Sequence, residues 1–254
     1  LHTTSFDEQP MSDKTLSRFR KRCYDYESIY GVDLLHGCMT GLGTNIAKLM
    51  DINPRIKRMD SMMIAANIRK LSRIELLYTC VAKLVIYLHK NHCDNLIKGM
   101  EHYCDPNDYN KIFYYSNDSD TVNQLDTILK DADSLLKSCG TDYDDITEYQ
   151  LLVRCLSEQT VVEEASRRLR TKEDGGFHSK MLQNPSDPDA TYRVKAGKEH
   201  QGYAANLEET VGKNGSVITD YQFEQNHYSD SQFLKDSLAR TEIQNEESTM
   251  ITDG

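Results

Sequence analysis

The stretch RIKRMDSMMIA, residues 55–65, decides the fold. In an extended chain Ile56, Arg58 and Asp60 fall on one side, and Lys57, Met59 and Ser61 on the other. That alternation predicts a strand with a polar face, and it sets one carboxylate, Asp60, in an apolar frame. A similar frame closes the chain: STMITDG, 248–254, reads as a short strand running into Asp253 and Gly254. Two carboxylates at the ends of two strands of one sheet can converge, because neighbouring strands lie about 4.8 Å apart.

Working outward, Pro54 separates the first strand from helical sequence before it. MSDKTLSRFRKRCYDY (11–26) offers Ser12 as N-cap and spaces Leu16, Phe19, Cys23 and Tyr26 as an inward stripe. Lys14, Arg18, Arg20, Lys21 and Arg22 crowd the same helix. VDLLHGCMTGLGTNIAKLM (32–50) repeats the pattern through Leu34, Cys38, Leu42, Ile46 and Leu49, weakened by three glycines.

After the strand the period becomes helical. RKLSRIELLYTCVAKLVIYLHK (69–90) puts Leu71, Ile74, Tyr78, Val81, Leu84 and Leu88 on one stripe, and TVNQLDTILKDADSLLKSC (121–139) does the same with Val122, Leu125, Leu129, Ala132 and Leu136. TEYQLLVRCLSEQTVVEEASRRLR (147–170) reads as a third helix, with Thr147 and Gln150 as its capping box. A Gly-, Pro- and Asp-rich connector follows. YAANLEETV (203–211) and SVITDYQFE (216–224) then read as a hairpin turning at Asn214-Gly215, and YSDSQFLKDSL (228–238) as a helix capped by Ser229 with Gln232 three residues on. A helical block between two strand-bearing parts predicts an α/β domain with an insertion.

Composition narrows the function. The 254 residues can bury one sizeable core, and net charge is −10. The charge is unevenly spread: residues 12–90 carry 14 Lys and Arg against 7 Asp and Glu, and residues 91–254 carry 16 against 31. A basic front half can approach nucleic-acid phosphates while the acidic remainder faces elsewhere; the same charges also fit ordinary solvated faces. Seven cysteines without regular spacing, no leader-like apolar run and no apolar stretch near 18 residues point to free thiols in a reduced, cytoplasmic setting and against a membrane. P-loop, GxGxxG and GxSxG motifs are absent, which removes nucleotide-binding and α/β-hydrolase readings. His89, His92, Cys93, His102 and Cys104 lack the paired spacing of a structural zinc site. Asp187 and Asp189 in SDPDA read as a turn rather than as ligands.

The segments RMDSMMIAANIRKLSRIELLY, SDPDATYRVKAGKEHQGY, NGSVITDYQFEQNHYSDSQFL and MITDG, in that order, resemble DDE-type transposases of bacterial insertion sequences, in the group with a helical insertion in the catalytic domain. The resemblance implies an α/β fold: a partial ribonuclease-H-like core (strand in 53–68, the rest in 176–254), interrupted by an all-helical insertion at 69–175 and preceded by the remainder of a helical DNA-binding domain at 1–52. It implies that Asp60 and Asp253 ligate Mg²⁺ or Mn²⁺, with two ions expected in the intact enzyme. It further implies that Lys14, Arg18, Arg20, Lys21, Arg22, Lys198 and His200 meet double-stranded DNA, both transposon ends and target, and that the intact protein is a homo-oligomer. The third acid of that family is a glutamate on a helix beyond the second aspartate, and every glutamate here precedes Asp253. Together with Leu1 in place of Met and Gly254 straight after a strand, this leads to the expectation of a fragment that is inactive alone. A non-catalytic DNA-binding or self-association remnant is the alternative.

Overall fold

The structure, a computed structural model, describes residues 12–53, 55–114, 121–164, 166–195, 197–243 and 249–252. Among them are seven α-helices and a mixed sheet. The chain divides into two compact units, one of Leu1–Met62, Ala205–Phe223 and Tyr228–Gly254, the other of Met63–Ala204 and Glu224–His227.

In the first unit, α1 (Asp13–Tyr30) and α2 (Leu34–Leu49) precede β1 (Ile56–Ala65). β5 (Lys198–Gly212) and β6 (Gly215–Gln225) form the expected hairpin, and α7 (Asp230–Ile243) leads to β7 (Thr249–Thr252). β1 has β5 on one side and β7 on the other, and β6 pairs with β5. The β1–β7 pairing is parallel, running from Ile56 opposite Thr249 to Met59 opposite Thr252. Alternation along β1 works as the sequence implies: Lys57 and Met59 are buried, while Ile56, Arg58 and Asp60 are exposed. The Ser229 cap of α7 is present, its hydroxyl accepting from the Gln232 amide at 3.2 Å.

The two N-terminal helices depart from expectation. On α1, Ser12 has extended backbone but its hydroxyl meets the Thr15 hydroxyl at 3.1 Å and caps no backbone amide, and Leu16 and Phe19 are 59% and 51% exposed. On α2 the leucine stripe also faces outward, with Leu42 and Leu49 61% and 87% exposed. The buried residues of α2 are Gly43 and Ala47. A Cβ on Gly43 would run into the Ile218 carbonyl oxygen of β6, so the glycine that weakens the helical pattern is the one that lets α2 lie against the hairpin. Small residues, not leucines, make this contact.

The second unit holds α3 (Arg73–Lys90), α4 (Asp108–Phe113), α5 (Thr121–Cys139) and α6 (Thr147–Gln159). Its core is aliphatic: Leu77, Val81, Leu84 and Leu88 of α3, Ala132 and Leu135 of α5, and Leu152 and Cys155 of α6 are fully buried or nearly so. Each such leucine contributes about 1.5–3 kcal/mol through removal from water. α3 opens with a reciprocal capping box, the Ser72 hydroxyl accepting from the Glu75 amide while Glu75 accepts from the Ser72 amide at 2.7 Å.

Two expectations fail in this unit. The Thr147–Gln150 capping box does not form, because Ile146 occupies the N-cap and Gln150 donates instead to the Asp144 carbonyl at 2.8 Å. The third helix stops at Gln159, and β2 (Thr160–Glu163) turns back into antiparallel β3 (Ser166–Leu169). β-branched Thr160, Val161 and Val162 lose χ1 freedom in a helix and suit a strand, and Arg167 reaches back to the Thr160 hydroxyl at 3.0 Å. β4 (Thr191–Lys195) pairs antiparallel with the start of β5, where Gly202 lies so close to the Ile64 carbonyl oxygen that no side chain fits.

Candidate functional site

Asp60 stands on the exposed face of β1, and its carboxylate has no side-chain partner among the described residues. Its neighbour on that face, Arg58, is committed to Glu209 of β5. The Ser216 hydroxyl, helped by Arg58, holds Glu209 below the usual carboxylate range. Asp60 is thus a solvated carboxylate on a strand with paired neighbours on both sides. Asp253 lies outside the described residues, as does Gly254. The last described residue before it, Thr252, is the pairing partner of Met59.

The buried face of β1 carries chemistry that alternation alone did not assign. Lys57 Nζ lies 2.9 Å from Glu208 Oε1, and Ser237 of α7 donates to Glu208 Oε2 at 2.6 Å. Both ions are almost fully buried, an arrangement tolerated only when paired and hydrogen-bonded. Beside them, His36 Nε2 lies 2.6 Å from Asp220 Oδ1, and Arg240 Nη2 lies 3.0 Å from Asp220 Oδ2. These two clusters border a cavity of about 510 Å³ also lined by Thr40, Thr210 and Thr219. The available signal was a lysine at the same strand parity as Met59.

The DNA-contact candidates fall into two groups. Lys14, Arg18, Arg20, Lys21 and Arg22 are all exposed on α1, where Lys21 pairs with Asp25 at 2.7 Å. Lys198 and His200 sit at the start of β5 in the other unit, Lys198 exposed and His200 half-buried, with the His200 carbonyl accepting from Asn226 at 3.1 Å.

That second unit has its own cavity, of about 720 Å³, bordered by Arg73, Phe177, Met181, Tyr192 and His227. Arg73 is fixed by Gln159 Oε1 at 2.8 Å and the Arg170 carbonyl at 2.7 Å, with its guanidinium 5.4 Å above the Phe177 ring. Burial, with Lys180 adding to it, pushes the His227 imidazole down, so it is neutral at pH 7.

The remaining sequence candidates find structural roles. Asn184 caps the SDPDA turn by accepting from the Ser186 amide at 2.9 Å, and Asp187 accepts from the Tyr203 hydroxyl. His89 bonds Asp94 at 2.6 Å and His102 bonds Asp108 at 3.1 Å. Among the described residues no group of three or more His, Cys, Asp or Glu could hold a metal, and no helix is long and apolar enough to cross a membrane. Comparison with protein-family models, with curated proteins and with solved structures finds no match.

Proposed function

We propose that the chain carries the first two carboxylates of a metal-dependent DNA strand-transfer centre, of the kind found in DDE-type transposases with a ribonuclease-H-like core. The observation that carries the reading is the parallel pairing of β1 with β7. Its register puts Met59 opposite Thr252, and in the sequence each of these two residues is followed by an aspartate, Asp60 and Asp253. The order β6-β5-β1-β7, with a hairpin and then a helix between β1's neighbours in the chain, supports the core, and α3 to α6, coming between β1 and β4 in sequence, support an insertion.

Asp60 fits a hard divalent ion: it is an exposed carboxylate, and no described cation neutralises it. Asp60 and Asp253 would hold Mg²⁺ or Mn²⁺, which supplies charge stabilisation for phosphoryl displacement when bound. Lys14, Arg18 and Lys21 are assigned to phosphates of double-stranded DNA, where they give affinity and position without reading bases.

A Mn²⁺ titration of the full chain, followed by the EPR signal of the free ion, tests the reading. Asp60→Asn and Asp253→Asn should each weaken the tightest site by roughly tenfold or more, since loss of an outer partner alone costs about 10–100-fold. Asp126→Asn, at an exposed carboxylate of α5, should change nothing. Equal binding by all four proteins removes the proposal.

A further inference from the structure

The outward face of α1 has a pattern that the strand-transfer reading does not use. Leu16, Phe19, Cys23, Tyr26 and Tyr30 follow one another at spacings of three, four, three and four, the seam of a two-stranded coiled coil. Most of it is open: Tyr26 and Tyr30 are exposed like Leu16 and Phe19, with Cys23 between them half-buried, and the two tyrosine rings meet at a tilt with their centroids 4.5 Å apart. Five apolar positions in register over an 18-residue helix, about 27 Å long, form a continuous strip and not scattered surface side chains.

We propose that this strip is the docking surface for a second copy of the chain, with the two α1 helices antiparallel about a twofold axis. The charges flanking the seam argue for that occupant. Arg20 and Glu27 hold equivalent flanking positions seven residues apart, so an antiparallel copy brings Arg20 of one helix to Glu27 of the other, twice. The whole helix is self-complementary in the same sense. Its first half carries Lys14, Arg18, Arg20 and Lys21 against Asp13, and its second half Asp25 and Glu27 against Arg22. A parallel copy would set basic half on basic half and align the helix dipoles, whereas an antiparallel copy opposes both. The acidic second half also argues against an anionic membrane as occupant. Lys14, Arg18 and Lys21 fall outside the seam in the heptad pattern, so association does not bury them.

Sedimentation equilibrium of the full chain at low and physiological salt tests the interface. The wild type should be a dimer. Phe19→Glu should weaken association by roughly 30-fold or more, as expected for a buried aromatic anchor, with the far-ultraviolet circular dichroism unchanged. Arg20→Glu should weaken it by about fivefold, and adding Glu27→Arg should restore it, because the two charges meet only between copies. A wild-type monomer at tens of micromolar, as when residues 1–11 or another segment of the same chain cover the strip, overturns the proposal. So does a dimer indifferent to Phe19→Glu. Rescue of Arg22→Glu, but not of Arg20→Glu, by Glu27→Arg would instead establish the parallel arrangement and overturn the antiparallel one. None of these outcomes depends on Asp60, so they are separable from the metal test.

Discussion

The helices of the second unit and those of the first are written in the same helical period and end in opposite environments. In α3, α5 and α6 the apolar stripes meet one another: Val81, Leu84, Ala132 and Leu152 are wholly buried. In α1 and α2 the stripes face out, and the first unit buries polar Lys57, Glu208, Thr210 and Ser237 beside apolar Met59 and Phe233. Periodicity tells which side of a helix is apolar. It does not tell which side meets the fold, because that depends on how closely the backbone must approach, and at Gly43 the answer is a residue with no side chain.

The contrast breaks most sharply at the buried ions. Lys57→Ala should cost about 3–5 kcal/mol in denaturant unfolding, because Glu208 is left charged and unpaired, while the double change Lys57→Met with Glu208→Leu should recover most of that loss. If the single change costs under about 1 kcal/mol, the polar interior of the first unit is solvated and the contrast is weaker than drawn. On the aliphatic side, Leu84→Ala should cost about 2–5 kcal/mol by lost transfer and residual cavity. Leu42→Ala on the open stripe of α2 should stay within about 0.5 kcal/mol in a monomer.

Two glycines of one helix sharpen the point at smaller cost. Gly43→Ala forces a methyl group into the Ile218 carbonyl and should destabilise by about 1–3 kcal/mol, whereas Gly41→Ala meets open space and should stabilise by about 0.5–1 kcal/mol through helix propensity. Opposite signs in thermal unfolding are the expected result, and equal signs would mean that α2 does not rest on β6.

The smallest effect is a pH dependence in the second unit. Arg168, together with the Thr171 amide and hydroxyl, holds the Asp174 carboxyl far below its ordinary value of 3.8. A depressed folded value stabilises the protein above the unfolded value and loses that contribution as pH falls through the folded one. The loss therefore begins near pH 4 and grows toward stronger acid. Asp174→Asn should flatten the acid limb of the stability curve and leave it unchanged near pH 7 in slope.

Much of this was legible in the residues. The alternation at 56–61 and the Ser229 cap rest on local backbone chemistry and appear as read, and the hairpin forms with its loop on Lys213 and Asn214, one residue before the expected Asn214-Gly215. The α3 capping box of Ser72 and Glu75 rests on the same local chemistry. What could not be read includes the shift of a cap by one residue, from Thr147 to Ile146, the hairpin that ends α6, and the pairing of Lys57 with a glutamate 151 positions away. The candidate site shows the same division. Asp60 followed from its strand, while the register of β1 with β7, which pairs the residues that precede Asp60 and Asp253 in the sequence, comes only from the fold.

The most direct test of that pairing is anomalous diffraction at the manganese edge from crystals of the full chain equilibrated with Mn²⁺. The account predicts a peak shared by Asp60 and Asp253 at ordinary coordination distance, about 2.1 Å from a carboxylate oxygen of each. Carboxylates on opposite faces of the sheet, or manganese bound elsewhere with Asp60 bare, would contradict it.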